Sequence, residues 1–408
     1  MELLNQVLDF VKYFMDIIAI PYIIIVIIVF IFFYHFFLYF LRDKRYARSL
    51  LKETDPNIIK LDDLIELPLI NIVIPAWNES DGFFNCLTSI IELTYPKIQV
   101  IINAGGSEET LEIANSFKHY KNFKILHQKG GGKLKAINEC FPHITEGIVY
   151  LIDADTLLSD EILLRMIYPL INNGEYVVIG GTRPMIDQEK KDLIRYLRIS
   201  RNMNFKGKFS RYLKAHISGA NTCMKYEVIK TMKKFSEDKE YAVERSQAAD
   251  IVSSGYKIYR LVDYRGRIYT RLPDTLKKWM KQRIRWVSNY IIFAVEKDKK
   301  GLIKYLVYFL FSMYILIFPV MILIHVSLFL FGIFILFFIY LKTIRKVFYS
   351  KLIYGDFFLK LKFQFFIKSL FYMYIKILSN VYIPIELLLT GRKKHKIRRN
   401  LISSSPSL

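Results

Sequence analysis

The sequence predicts an α/β protein, a doubly wound and mostly parallel sheet in the cytoplasm with transmembrane helices before and after it. Three observations carry that expectation. Between about residues 66 and 276, short apolar runs of strand length alternate with helical stretches. Residues 17–41 and 305–341 hold no Asp, Glu, Lys or Arg. Finally, 59 Lys+Arg against 37 Asp+Glu give a net charge of +22 on a chain that is 53% hydrophobic. Nearly all of that charge sits in 42–60, 277–304, 342–364 and 391–408, beside the apolar stretches. Such collars report orientation and attraction to anionic lipid, and they give no ground for nucleic-acid binding. Cys86, Cys140 and Cys223 are scattered, with neither CxxC nor His/Cys spacing. A disulfide framework and a structural zinc site are therefore not expected, and a reducing compartment is.

Taken in order, residues 1–16 are acidic on balance (Glu2, Asp9 and Asp16 against Lys12) and are expected outside the cytoplasm. Residues 17–41 are long enough, at ~1.5 Å per residue, to cross a ~30 Å hydrocarbon core as a helix. A signal peptide fits badly, because no positive leader precedes the run and no small-residue cleavage site follows it. Arg42, Lys44, Arg45 and Arg48 open a basic cytoplasmic linker at 42–65.

The domain at 66–276 offers strands at Leu69–Pro75, Gln99–Asn103, Phe123–Leu126, Ile148–Ile152 and Tyr176–Gly180. Helices are expected at Gly82–Glu92, Glu109–His119, Lys133–Cys140 and Ser159–Asn172. An interfacial helix with basic and aromatic anchors follows at 277–300. The run 305–341 would measure roughly 55 Å as one helix, so it reads as a transmembrane hairpin turning near His325. Residues 342–364 form a basic cytoplasmic segment. In 365–390, Lys368, Ser369, Lys376, Ser379, Asn380 and Glu386 fall on one stripe at about 100° per residue, which suits a helix lying in the interface. The basic tail 391–408 completes a layout of three spans at the cell membrane.

Ligands of such sheets sit outside the carboxyl ends of the strands. Pro75-Ala76-Trp77-Asn78-Glu79 follows the first strand, and Asp153-Ala154-Asp155 follows the fourth. Two carboxylates one residue apart suit a hard divalent cation shared with phosphate oxygens. A polar turn that caps a helix is the plainer reading.

Four pieces stand in one order: INIVIPAWNE at 70–79, GGGKLKAIN at 130–138, LIDADT at 151–156, and Gln282-Arg283-Ile284-Arg285-Trp286. The set resembles family 2 of the inverting glycosyltransferases, in the membrane-embedded branch with DxD and QxxRW motifs. That branch includes polysaccharide synthases and ceramide glucosyltransferases. The resemblance covers roughly 66–290 and implies a GT-A-like fold. It implies that Pro75, Ala76, Asn78 and Glu79 contact the nucleotide, with Lys133 near its base or phosphates. Asp153 and Asp155 would be the DxD pair, Asp155 holding Mg2+ or Mn2+ and Asp153 nearer the nucleotide.

The catalytic base of the family stands about eleven residues before a Gly-Tyr pair. Counting back from Gly255-Tyr256 reaches Glu244, with Asp250 as the competing carboxylate. Gln282, Arg285 and Trp286 share a helical face, Arg285 offering a fork of donors to pyrophosphate and Trp286 a flat wall to the acceptor. One departure matters. Where the family commonly carries an aspartate that contacts uridine, this chain has Ala104, and Asn103 is the neighbour able to hydrogen-bond in its place.

Two further segments invite a role. His216 lies in the loop matching the family's acceptor side, and Lys190–Lys214 carries nine basic residues and one acid, a candidate surface for anionic lipid. The implied function is transfer of a hexose or N-acetylhexosamine from a nucleotide sugar, a UDP-sugar for choice, to a lipid or glycolipid at the cytoplasmic leaflet. The alternatives are a processive polysaccharide synthase and an inactive nucleotide-sugar-binding membrane subunit. The expected partners are the donor, a lipid or glycan acceptor, membrane lipids and a second copy of the chain.

Overall fold

In the computed structural model, α1 (Pro21–Glu53) does not stop where the apolar run ends at Leu41. It continues through the basic stretch expected to be a linker. The structure describes residues 21–53, 58–201, 212–213, 219–236, 243–297, 299–354 and 363–403, with Gln6 and Asp9. Most of 1–16, and 17–20 of the expected first span, therefore lie outside the described residues. The continuation of α1 has a packing reason, since buried Asp43 accepts a hydrogen bond from the buried guanidinium of Arg345. A buried charge must be paired to persist, and a helix holds that carboxylate in place.

β1 (Ile70–Trp77), α2 (Asp81–Ile91), β2 (Ile98–Gly105) and α3 (Glu108–Ser116) begin the second unit. β3 (Phe123–His127), α4 (Gly132–Cys140), β4 (Ile148–Ile152), β5 (Thr156–Leu157) and α5 (Asp160–Asn172) follow. Next come β6 (Val177–Ile179), β7 (Thr182–Pro184), α6 (Asp192–Arg201), β8 (Tyr212–Leu213) and β9 (Asn221–Lys225). α7 (Tyr226–Met232), α8 (Val243–Ser253), β10 (Ile258–Arg260), β11 (Ile268–Thr270) and α9 (Leu276–Lys297) close the series.

The main sheet runs β3-β2-β1-β4-β9-β6-β10-β8, and a small one runs β5-β11-β7. Parallel pairing prevails, as expected, but β9 is antiparallel to both β4 and β6, and β8 to β10. Alternate residues of β1 and β4 enter opposite cores. Ile72, Ile74, Tyr150 and Ile152 pack with residues of α2 and α5, whereas Val73, Val149 and Leu151 pack with residues of α4 and α8. Both faces are thus covered, which is why these strands read as unbroken apolar runs. β1 pairs in register with β2 from Ile70↔Ile98 to Trp77↔Gly105, two residues beyond the expected end at Pro75.

α10 (Lys299–Ile317) and α11 (Val326–Tyr354) are separated by a short 3-10 turn that ends near His325, where the hairpin turn was expected. α12 (Phe363–Ser403) is unbroken, so most of the expected basic tail is helical. Lys299–Ile317, Leu328–Phe348 and Gln364–Leu389 are long and apolar enough to cross a membrane by length and composition. The chain forms two compact units, 1–53 with 306–381 and 54–305 with 382–408. Within the first, Phe32 of α1 meets Phe334 and Phe338 of α11 at ring-centroid distances of 5.8 and 4.8 Å.

Part of the polar stripe of α12 packs inside the helical unit. Ser369 and Ser379 are buried, and the Asn380 amide donates to Ser312 Oγ of α10 at 3.4 Å. Ile367, Phe371 and Leu378 are among the exposed side chains. Polar groups facing neighbouring helices and apolar groups facing out is a pattern found in helices packed within a bundle. Lys368 alone of the stripe is exposed.

Candidate active site

Three loops at the carboxyl ends of β1, β2 and β4 bring the site together. After β1, the backbone N–H of Asn78 donates to the Gly105 carbonyl at 3.1 Å. The Glu79 N–H donates to Thr110 Oγ1 at 2.7 Å, and the same hydroxyl donates back to the Glu79 carbonyl at 2.8 Å. Ser107, which caps α3, lies 2.8 Å from that hydroxyl. Thr110 therefore fixes the loop that presents Glu79, a role nothing in the β1 motif announces. After β4, Thr156 Oγ1 donates to the Asp153 carbonyl at 2.7 Å and sets the turn between the two aspartates. The start of α2 approaches Asp155, where a methyl on Gly82 would stand 3.8 Å from Asp155 Cβ.

Lys133 opens α4 after a glycine run, Gly130 to Gly132, whose positive φ angles (91°, 95° and 86°) suit only glycine comfortably. That path delivers the ammonium into the carboxylate cluster. Lys133 Nζ forms an ion pair with Asp153 Oδ1 and donates to the Gly219 carbonyl at 3.2 Å. Gly219 also backs onto Glu244, since a methyl there would lie 3.0 Å from Lys133 Nζ and 3.4 Å from Glu244 Cγ. Glu244 stands in the first turn of α8. Its rival Asp250 is occupied elsewhere, accepting from the Ser236 N–H at 2.8 Å and the Ser236 hydroxyl at 2.9 Å.

The electrostatics follow from this crowding. Burial first, then the charges of Asp155 and Asp153, push the Glu79 carboxyl up to about 7, with Lys133 opposing. Burial and the Asp153 charge push Asp155 up to about 6, with Lys133 and Arg285 pulling it back. Burial works against the Lys133 charge, but Asp153, Glu244 and Asp155 more than offset it and hold its pKa above the ordinary value. Arg285 on α9 is thus near enough to Asp155 to act on it. Gln282 and Trp286 stand on the same helix, one turn before Arg285 and beside it, with Trp286 exposed.

Several expected contacts take another form. Pro75 and Ala76 are strand residues in register with Asn103 and Ala104, and the Ala76 side chain is fully buried in the core. Pro75 is half-buried and leads into the loop that presents Asn78 and Glu79. Asn103, the neighbour of Ala104, keeps its Oδ1 buried without a hydrogen-bond partner. Its amide donates to the Ala136 carbonyl at 3.0 Å and to Glu139 at 2.7 Å, tying β2 to α4. In the basic segment, Lys191 pairs with Asp274, Arg195 with Asp192 and Arg198 with Glu189, so those charges are spent within the fold. His216 lies outside the described residues.

Among the described residues, no three His, Cys, Asp or Glu side chains close a ready-made metal cage. The donors that do converge are Asp153 and Asp155 with Glu79 close by. The raised pKa values of Glu79 and Asp155 show a carboxylate excess that Lys133 and Arg285 do not cancel. A hard divalent cation held by one or two carboxylates and by phosphate oxygens fits that set.

Residues 71–232 match the family model described as glycosyl transferase family 2. The probable glycosyltransferase YdaM of Bacillus subtilis is 25% identical over 278 residues, 64% of this chain and 66% of that protein. The poly-β-1,6-N-acetyl-D-glucosamine synthase of Staphylococcus epidermidis is 26% identical over 267 residues, 61% of this chain and 59% of the synthase. The shared stretch spans just under two thirds of these relatives' own length. Among solved structures, the mannosyltransferase PcManGT from Pyrobaculum calidifontis, in complex with GDP-Man and Mn2+, overlaps with a TM-score of 0.46. That overlap covers 67% of this chain and 75% of that one at 18% identity, too loose to weigh on the site. The family match falls within the sheet unit, so residues 71–232 are the part of this chain that is similar to glycosyl transferase family 2.

Proposed function

We propose that this chain is a membrane-bound, inverting glycosyltransferase that moves a hexose or N-acetylhexosamine from a nucleotide sugar to a glycan or lipid acceptor at the cytoplasmic leaflet. The convergence of Glu79, Asp153 and Asp155 with Lys133, Arg285 and Glu244 at one edge of the sheet carries this reading. Glu244 accepts the proton of the acceptor hydroxyl as its oxygen bonds to the anomeric carbon. The carbon–oxygen bond to the nucleoside diphosphate breaks on the opposite side, and the configuration inverts. Lys133 and Arg285 lie where charge gathers on the departing diphosphate. Asp153 and Asp155 would hold Mg2+ or Mn2+, which supplies Lewis-acid stabilisation of that same charge.

The relatives' names support chain elongation on a glycan. The alternative acceptor, a lipid taking one or a few sugars, is favoured by the small number of apolar helices among the described residues. Purified protein in lipid with Mn2+ should release nucleoside diphosphate from a UDP-sugar, and mass spectrometry of the lipid-soluble and polymer fractions should locate the sugar. A regular mass ladder selects elongation, and a single increment selects the lipid acceptor. Asp155→Ala and Glu244→Gln should each lose roughly 10²–10⁴-fold in turnover. Turnover equal to wild type in both variants would sink the enzymatic reading.

A further inference from the structure

The proposed base and the arginine facing the departing diphosphate stand on different helices, Glu244 in the first turn of α8 and Arg285 midway along α9. In-line displacement needs them at a fixed spacing, because the acceptor oxygen enters on one side of the anomeric carbon as the diphosphate leaves on the other. Yet no extended seam of packing joins α8 to α9 among the described residues. The far half of α8 has its own anchor, Asp250 on Ser236. That anchor lies about 9 Å beyond Glu244 along the helix, at ~1.5 Å per residue. Gly219, which backs onto Glu244, has no side chain to brace it.

What reaches from that first turn to α9 is the residue after Glu244. The Arg245 guanidinium lies over the Tyr290 ring, 4.6 Å from its centroid. A planar cation suits an aromatic face, and the attraction grows as water is withdrawn. Both side chains are half-buried. The ring is also held from its other end. The Tyr290 hydroxyl donates to the Gly301 carbonyl in the first turn of α10 at 3.3 Å, and the Tyr305 ring meets that of Tyr290 at a centroid distance of 6.0 Å. Tyr290 follows Arg285 by about 7.5 Å along α9, at ~1.5 Å per residue. Arg285 in turn acts on Asp155. The Arg245–Tyr290 contact therefore links the base to the helix that faces the charge of the donor.

We propose that Arg245 is a positioning residue, forming with Tyr290 a strut that fixes Glu244 relative to Arg285. The proposal rests on the roles given above to Glu244 and Arg285 and names the pair that keeps them in register. Neither Arg245 nor Tyr290 touches substrate in this scheme. Their effect falls on the spacing of two other groups, so it belongs to turnover and leaves donor binding alone.

The test is release of nucleoside diphosphate from UDP-glucose, UDP-N-acetylglucosamine and GDP-mannose, each with Mn2+, by the full chain in lipid. Thermal unfolding of every variant accompanies it. Arg245→Leu and Tyr290→Leu should each lower kcat roughly tenfold to a hundredfold, with the donor KM within about twofold and the unfolding midpoint near that of wild type. Arg245→Lys returns a cation to the ring face and should stay within about threefold of wild type. The double variant, Arg245→Leu with Tyr290→Leu, should be no slower than the slower single one, since either change alone removes the one contact. Single variants that turn over as wild type does, losses that multiply in the double variant, or a loss carried by KM or by the unfolding midpoint overturn the strut and leave the glycosyltransferase reading intact. An Arg245→Lys protein as slow as Arg245→Leu overturns it as well. A wild type that releases nucleoside diphosphate from none of the three sugars removes both readings.

Discussion

Asp155 and Glu79 are carboxyls held above their ordinary pKa by burial and by neighbouring charge, so their ionised forms weigh against the ligand-free fold. The native state retains protons that the unfolded chain has already lost, and stability from these groups falls as pH rises through the range between about 4 and 7. Asp155→Asn should therefore raise ligand-free stability at pH 8 by about 1–3 kcal/mol, while turnover is lost. Thermal unfolding checks it, and the gain should shrink as the pH is lowered toward 4. Gly219→Ala works in the opposite direction. Its methyl would press on both Lys133 Nζ and Glu244 Cγ, so kcat should fall roughly tenfold or more with near-native stability. That Glu244 belongs beside Gly219 and Lys133 is suggested in the sequence only by an interval to Gly255-Tyr256, which lies along one chain segment. The Thr110 clamp on Glu79 and the burial of Ala76 were not legible, because each depends on where β2 lies beside β1.

At the scale of elements, the parallel strands were readable because both their faces are buried and they carry continuous apolar runs. β9 escaped notice for the converse reason. Asn221-Thr-Cys-Met-Lys is only partly apolar, and its Asn221 is buried because its amide donates to the Gly181 and Gly266 carbonyls at 2.9 and 3.0 Å. α5 is anchored by Arg165, which is buried and donates to Asp263 at 2.5 Å. Removing one partner of a buried ion pair typically costs about 3–5 kcal/mol, so Arg165→Ala should lower the denaturant midpoint steeply. The stripe on α12 is only half informative, since periodicity gives the angle between polar residues but not what lies opposite them. A topology reporter fused after residue 408 distinguishes the outcomes. Signal on the cytoplasmic side means that α12 does not cross, and signal on the far side means that it does.

On the scale of the whole chain, the helical unit joins segments from either side of the sheet in sequence, because α1 and α11 share a unit although Asp43 and Arg345 stand 302 positions apart. Composition and charge anticipated membrane collars, but that pairing is long-range and left no local trace. Deleting residues 1–53 should leave the sheet folded by circular dichroism while limited proteolysis of 306–354 speeds up. Equal proteolysis with and without α1 would count against the packing role of that helix.

The antiparallel β9 also sets an order in time. β4 leaves the ribosome with one edge paired to β1 and the other open, and the strand that covers it arrives only at Asn221, 69 residues after Ile152. During that interval the nascent chain carries an uncovered strand of Ile, Val, Tyr and Leu directly before the aspartates, a ready template for wrong partners. A chain stopped before residue 221 should therefore aggregate, whereas one stopped after β10 should stay dispersed.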